Sequence, residues 1–131
     1  MKQITLLFLL IIQSTIAQNT LFNQVEAKNI GPTIMSGRVV DLAVNPKNPT
    51  EFYVAYATGG LWYTNNNGTS FSPVMDASET VNCGSVTVDW NSGTIWVGTG
   101  EVNASRSSYA GVGVLKSSDK GKTWENLGLN D

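Results

Sequence analysis

The amino-acid sequence predicts an all-β protein made of two similar halves. After residue 18, no stretch keeps apolar residues at the helical spacing of i, i+3, i+4 and i+7. Short runs instead alternate in polarity or are rich in β-branched and aromatic residues, and clusters of Gly, Asn and Pro separate them. The composition of the runs, the turn residues between them and their recurrence in both halves therefore indicate strands.

Eight strands are predicted, four in each half of the chain. In order, they span residues 39–44, 51–57, 60–64 and 71–74, then 85–89, 94–99, 113–117 and 124–127. Turn residues separate successive strands, as in 45–49, 65–68, 91–93 and 119–121. Each half is therefore expected to form one four-stranded sheet.

The two halves also align with each other. The motif at 42–45 matches 86–89 at an offset of 44, and 53–55 matches 96–98 at an offset of 43. The third strands match at an offset of 53, which places about ten extra residues between the second and third strands of the second half, at 101–110. A four-stranded repeat of roughly 40 to 50 residues is the unit of a β-propeller blade. We therefore predict a partial β-propeller of about two blades.

The first residues have the pattern of a secretory signal peptide. Lys2 precedes an apolar run at 4–12, and Thr15 and Ala17 provide small residues for cleavage. A membrane anchor is the alternative, but a run this short falls well below the roughly 20 residues that a spanning helix needs. The sequence thus predicts a signal peptide at 1–17, no membrane span, and a secreted, periplasmic or extracellular protein.

The remaining boundaries follow from the repeat. Residues 36–80 are assigned to blade 1 and 81–131 to blade 2, whereas 18–35 form an N-terminal segment. Within that segment, 28–31 resembles 125–128, which suits an outermost strand that closes the ring. Because a closed propeller needs at least four blades, we expect the propeller to continue beyond this chain, with its remaining blades as partners. The alternative is a two-blade protein that forms a ring by self-association.

A second type of motif falls in the hairpins between the third and fourth strands. Asx and Gly at these spacings suit a turn in which the Asx side chain accepts bonds from nearby backbone N–H groups. The residues form an Asp-box at Ser117, Asp119, Gly121, Thr123 and Trp124, and a degenerate copy at Thr64, Asn66, Gly68, Ser70 and Phe71. We interpret both as structural. A calcium site is the alternative, but the ligand series and terminal Glu of a calcium loop are missing.

Composition excludes several classes of function. The chain has no His and one Cys, Cys83, so an intrachain disulfide and a Cys/His zinc site are excluded. The formal charge of −2 argues against nucleic acid as a partner. No cofactor or metal is predicted, and Cys83 is interpreted as a small residue that fills space.

The ordered motifs resemble a known family, the secreted Asp-box (BNR) β-propellers related to the sortilin ectodomain, common in exported proteins of Bacteroidetes-type bacteria. The resemblance covers nearly all of the chain after the signal peptide. The matching segments are 29–32, 36–39, 45–49, 59–62, 67–69, 96–101, 106–109 and 117–124.

Members of this family are often described as glycosyl hydrolases, and the resemblance allows that activity to be tested on residues. Sialidases need three Arg around the substrate carboxylate, whereas this chain has two, Arg38 and Arg106. In similar xyloglucanase-type propellers, a catalytic Asp stands where this chain has Ala57, which can act neither as acid nor as base. No catalytic residue is therefore assigned. The alternative is a secreted glycoside hydrolase whose catalytic carboxylates lie outside this chain.

The resemblance also implies where a ligand binds. It places Ser36, Gly37 and Arg38 beside the loop at 57–60 and the insertion at 101–110, on one face of the propeller. Long loops on a rigid scaffold often carry recognition, and Tyr and Arg are favoured contact residues. The candidate residues for binding protein, peptide or glycan are Arg38, Glu101, Asn103, Arg106 and Tyr109. In the alternative interpretation, Glu101 and Arg106 pair with each other or cap neighbouring strands. A third class of function is a structural spacer in a large cell-surface or secreted assembly. The four Trp residues are expected to pack between blades, and a platform for sugar is the alternative.

Overall fold

The computed structural model describes residues 37–101 and 108–129. The predicted signal peptide, the predicted closing strand, Ser36 and the candidate binding residues Asn103 and Arg106 lie outside the described residues. All statements about the structure concern the described part of the chain.

The described residues form two four-stranded antiparallel sheets and contain no helix, so the prediction of an all-β fold is confirmed. In each sheet, the strands are neighbours in the order in which they occur in the chain. The first sheet contains β1 (Val39–Val44), β2 (Phe52–Tyr56), β3 (Gly60–Thr64) and β4 (Ser72–Pro73). The second sheet contains β5 (Cys83–Asp89), β6 (Thr94–Thr99), β7 (Val114–Ser117) and β8 (Glu125–Asn126). No helix in this part of the chain has the length and apolar character needed to cross a membrane.

The observed strand ends differ from the predicted ones mainly at the outer edge of each sheet. Strands β1, β3 and β6 have the predicted bounds, whereas β4 and β8 each have two residues instead of four. Phe71 and Trp124 come just before these short strands and do not pair in them. In the turn before each short strand, a side chain accepts hydrogen bonds from backbone N–H groups as far along the chain as Ser70 in the first sheet and Thr123 in the second. Few residues are then left to pair with the neighbouring strand.

Each sheet has a register shift in its first strand. In β1 the shift falls between Val39 and Asp41, and in β5 it falls between Cys83 and Ser85. A bulge of this kind adds a residue to one strand and increases its local twist. The two irregularities are 44 residues apart in the chain.

The hydrophobic core lies between the two sheets. The first sheet contributes Tyr53, Ala55 and Leu61, and the second contributes side chains that alternate along its strands. The buried residues of the second sheet are Val86, Ile95, Val97 and Leu115. Met75, from the segment that joins the sheets, and Cys83, the first residue of β5, complete the core; the thiol sulfur of Cys83 lies 3.4 Å from the sulfur of Met75. Cys83 is fully buried, as expected for a small residue that fills space.

The opposite face of the second sheet is not covered by the first. Thr87, Trp96 and Lys116 lie side by side on it, because they pair directly across β5, β6 and β7. Trp96 and Lys116 are half-buried and Thr87 is exposed. This surface is called the open face below.

Polar contacts also join the sheets. The carboxylate of Asp41 in β1 accepts a hydrogen bond from the backbone N–H of Val86 in β5, at 2.8 Å, and another from Leu42, also at 2.8 Å. At the outer side, the indole N–H of Trp124 donates to the carbonyl oxygen of Val74 at 3.0 Å. The predicted packing of Trp124 between sheets agrees with this contact.

Candidate functional site

Three of the five candidate binding residues are in contact at one end of the sheets. A guanidinium N–H of Arg38 donates to Glu101 Oε1 at 3.1 Å, and the other carboxylate oxygen of Glu101 accepts the backbone N–H of Tyr109 at 3.3 Å. The backbone N–H of Glu101 also donates to the carbonyl oxygen of Tyr109, at 3.2 Å. Arg38, Glu101 and Tyr109 are called the loop cluster below.

The exposure of these side chains differs sharply. The side chain of Glu101 is 5% exposed, whereas that of Arg38 is 48% exposed, and Tyr109 is 52% exposed. The carboxylate therefore acts as an internal anchor that orients the guanidinium. The remaining N–H donors of Arg38 and the ring of Tyr109 can meet a ligand.

The loop between β2 and β3 of the first sheet lies beside this cluster. The backbone N–H of Ala57 donates to the carbonyl oxygen of Arg38 at 2.9 Å, and a Cβ added at Gly37 would lie 2.9 Å from the hydroxyl oxygen of Thr58. Gly37 and Arg38 thus lie beside the 57–60 loop. Ala57 itself is 2% exposed, so its position provides no functional group to this surface.

The turn between β3 and β4 is a closed network of hydrogen bonds. The hydroxyl of Thr64 accepts the backbone N–H of Gly68 at 3.0 Å and donates to Asn66 Oδ1 at 2.9 Å. Asn66 Oδ1 also accepts the backbone N–H of Ser70 at 3.0 Å, and the Asn66 amide donates to the Ser70 hydroxyl at 2.8 Å.

The turn between β7 and β8 repeats the same contacts with an acidic residue at the centre. Ser117 accepts the N–H of Gly121 at 2.8 Å, and Asp119 accepts the backbone N–H of Thr123 at 2.9 Å and its hydroxyl at 2.7 Å. Hydrogen bonds from Thr123 and then Ser117 lower the pKa of Asp119 to about 2. The carboxylate oxygens are thus used within the turn, which is the structural role expected for an Asp-box.

Two acidic side chains in or next to the first strands also bind backbone groups. Asp41 joins β1 to β5, as described above, and Asp89 accepts the N–H of Asn91 at 3.0 Å and the hydroxyl of Ser92 at 2.7 Å. Among the described residues, no group of three or more His, Cys, Asp and Glu side chains is placed to hold a metal ion.

Sequence reasoning missed a second site, at the opposite end of the strands. A cleft of about 370 Å³ opens there between the two sheets, and it is called the aromatic cleft below. Its lining residues are Asn45, Glu51, Tyr53, Tyr63, Val88, Trp90, Asn91, Ser92, Gly93 and Lys120. The centre of the Tyr53 ring lies 4.8 Å from that of Tyr63 and 5.6 Å from that of Trp90.

A carboxylate lies at the edge of these rings. Glu51 Oε1 accepts the hydroxyl of Tyr63 at 2.5 Å, and Glu51 Oε2 accepts the amide of Asn45 at 2.7 Å. These two hydrogen bonds, the Tyr63 bond above all, lower the pKa of Glu51. Burial raises the pKa of Tyr53 to about 12. Burial and the hydrogen bond to Glu51 also raise the pKa of Tyr63, so both hydroxyls are protonated at neutral pH.

The sequence predicted the strands that provide two of the three rings of this cleft, but not the cleft itself. Tyr53 and Tyr63 fall in two predicted strands that follow each other in the chain, and in the structure they pair directly across β2 and β3, which puts them on one face. Trp90 comes from the other sheet, and only the packing of the sheets brings it to Tyr53. The sequence-based interpretation of Trp90 as a residue between blades described its packing but not the cleft beside it.

In comparisons with known proteins, no protein-family model and no curated protein matches this chain. The assignment of function therefore depends on the motif residues and on the geometry described above.

Proposed function

We propose that this chain is a secreted, non-catalytic segment of a β-propeller that binds a protein, peptide or glycan through the loop cluster. The observation that carries this proposal is the contact of Arg38 with Glu101. It joins the start of the first sheet to the insertion that follows β6, across 63 residues of sequence. Two separate segments thus combine into one surface.

The propeller itself is supported by the likeness of the two sheets. They share strand order, the position of the register shift in the first strand and the same network in the turn between third and fourth strands. β5 packs against β1 and β2, so the first strands lie next to each other, as they do around a propeller axis. In this proposal each sheet is a blade, and further blades complete the ring.

The exposed groups of the loop cluster suit recognition of a polar surface. The guanidinium of Arg38 has donors left over after its bond to Glu101, and Tyr109 presents an aromatic ring with a hydroxyl. Both residue types dominate binding energy at interfaces because they combine apolar contact with directed hydrogen bonds.

The experiment is a binding screen on glycan and peptide arrays, with the protein in the form that its source exports. We expect a ligand whose affinity falls at least about tenfold in the double variant Arg38→Ala, Tyr109→Ala, since each truncation at a contact centre costs more than about 1 kcal/mol. Asn65→Ala, in the exposed turn after β3 at the other end of the strands, is the control and should bind as the wild type does.

The screen also separates the alternatives. Release of sugar from any polysaccharide would favour the glycoside hydrolase whose carboxylates lie outside this chain. Ligand binding that survives the double variant unchanged would overturn the loop cluster as the site, and would leave that surface with the role of a structural spacer.

A further inference from the structure

We propose that the aromatic cleft is a second binding site, and that its ligand is one ring of a neutral sugar. This site is separate from the loop cluster, because it lies at the other end of the strands and is formed by different residues. It does not depend on the function proposed above.

The three rings of the cleft form a contiguous apolar wall. Tyr53 is at its centre and is 4% exposed, whereas Tyr63 and Trp90 on either side are half-buried. The rings of Tyr63 and Trp90 are tilted by 43° and 42° to the ring of Tyr53, so the three rings are not stacked flat on one another. The C–H face of a pyranose can pack against such a wall, since aromatic side chains provide a large apolar area with little loss of rotamer freedom.

The polar groups around the wall suit hydroxyls. Each oxygen of Glu51 accepts one hydrogen bond within the protein, which leaves lone pairs for a ligand O–H. The amide oxygen of Asn91 accepts a hydrogen bond from the ammonium of Lys47, at 2.8 Å. The NH₂ group of Asn91, which lines the cleft, therefore remains available as a donor. A few directed polar groups beside a mainly aromatic wall are what small-ligand sites use to orient a ligand.

The charges of the cleft point to a neutral ligand. One carboxylate, Glu51, and one ammonium, Lys120, line it, and Lys120 helps to keep Glu51 ionised. The Lys120 side chain passes the turn at Gly93, where an added Cβ would lie 3.4 Å from Lys120 Cε. The two opposite charges give the lining no net charge that would favour an ionic ligand, and the hydroxyls of a neutral ligand can bond to both groups.

The size of the cleft limits the ligand. Its volume of about 370 Å³ is near the lower end of the roughly 300–1,000 Å³ found for small-ligand sites. One sugar ring fits such a space, while a longer glycan would extend into solvent.

The test is a titration of the full chain with neutral methyl glycosides of glucose, galactose, mannose, xylose and N-acetylglucosamine, followed by NMR at the indole N–H of Trp90. We expect at least one glycoside to shift this signal saturably. Glu51→Gln should weaken binding about tenfold or more, because a hydrogen bond to a charged group is lost. Tyr63→Phe keeps the ring but removes the hydroxyl that donates to Glu51 and orients its carboxylate, so it should weaken binding about fivefold, the cost of one neutral hydrogen bond.

Two controls make the result specific. Trp96→Phe, on the open face, and Glu125→Gln, at an exposed position of β8 outside the cleft, should both leave glycoside binding unchanged. The proposal is overturned if no neutral glycoside shifts the Trp90 signal in the folded protein, or if only glucuronate or choline does. It is equally overturned if Glu51→Gln and Tyr63→Phe, both shown to be folded by their NMR spectra, bind as the wild type does.

Discussion

Asp119 and Asn66 hold equivalent positions in two turns, yet only one of them carries a charge. The hydrogen bonds that Asp119 accepts favour its ionised form and lower its pKa from 3.8 to about 2. A carboxylate with a lowered pKa contributes stability above its unfolded pKa and loses it as the pH falls through the folded pKa. We therefore expect the second turn, and not the first, to weaken between pH 4 and pH 2.

This difference can be measured by thermal unfolding as a function of pH. In Asp119→Asn, the fall in unfolding midpoint between pH 4 and pH 2 should be smaller than in the wild type, because an amide does not titrate. Asn66→Asp is the matched variant and should make the fall larger. An identical pH profile for the wild type and Asp119→Asn would contradict the prediction.

Gly121 and Gly128 differ in their surroundings although both have a positive φ, of 89° and 92°. A Cβ at Gly121 would lie 2.6 Å from the carbonyl oxygen of Val74, whereas a Cβ at Gly128 would meet nothing within 4 Å. Gly128→Ala should cost about 1–2 kcal/mol of unfolding free energy from backbone strain alone. Gly121→Ala should cost about 1–3 kcal/mol more, because the backbone of Val74 must move.

Chemical denaturation of the two variants measures this difference directly. Equal unfolding free energies would show that the Asp-box turn does not pack against Val74 as described. The pair is informative since both substitutions add the same methyl group at a similar φ.

Residue-level reasoning predicted local features better than sites that need tertiary contacts. The Asp-box residues form local networks, because all the atoms involved lie within a few residues of each other. The Arg38 pair with Glu101 depends on the position of two distant loops, and the resemblance placed them together although sequence spacing did not. The aromatic cleft was missed because Trp90 reaches Tyr53 only through sheet packing.

At the level of strands, Asp41 is the residue that joins two sheet edges. Strands β1 and β5 are edge strands, and an edge strand leaves backbone N–H groups unpaired. The carboxylate of Asp41 accepts one such group from each strand, at Leu42 and at Val86. Asp41→Ala should therefore destabilise the fold by about 1–3 kcal/mol, the cost of leaving partly buried donors without partners.

Asp41→Asn tests the same contact more gently, since it keeps one acceptor oxygen. Its unfolding free energy should lie between those of the wild type and Asp41→Ala, and hydrogen exchange at Val86 should be faster in both variants. Unchanged exchange at Val86 in Asp41→Ala would contradict this role.

Strand prediction succeeded in runs of aromatic and β-branched residues bounded by turns, and it failed where a turn competes for the backbone. The central strands β3 and β6 match their predicted bounds. The outer strands β4 and β8 are shorter than predicted, because Phe71 and Trp124 leave the ladder at the end of the Asp-box turn. Trp124 then donates to Val74, a contact that no local pattern indicates.

At the level of the whole molecule, the described residues leave two sheet faces without another sheet packed on them: the open face of the second sheet and the outer face of the first, where Leu42 and Val44 are exposed. The sequence alignment of the halves pairs Trp96 with Tyr53, and Tyr53 is buried against the second sheet. If each sheet is a blade, as proposed above, a further sheet would cover Trp96. Without it, a half-buried Trp beside Val114 leaves an apolar surface that favours association.

Sedimentation of the full chain tests this expectation. The wild type should self-associate as its concentration rises, and Trp96→Lys, which places a charge on the open face, should shift it toward monomer. Asn65→Lys, in the exposed turn after β3, places a charge away from both uncovered sheet faces, so it is the control and should not change the association. Equal sedimentation of the wild type and Trp96→Lys at all concentrations would contradict the prediction.

The burial of Cys83 has a consequence for oxidation chemistry. Burial raises the pKa of this thiol to about 12, and disulfide exchange requires an accessible thiolate. The folded chain should thus stay free of covalent cross-links in an oxidising compartment, although its single thiol has no partner within the chain. An unfolded chain has no such protection, so a disulfide-linked dimer on a non-reducing gel would record molecules that met an oxidant before they folded.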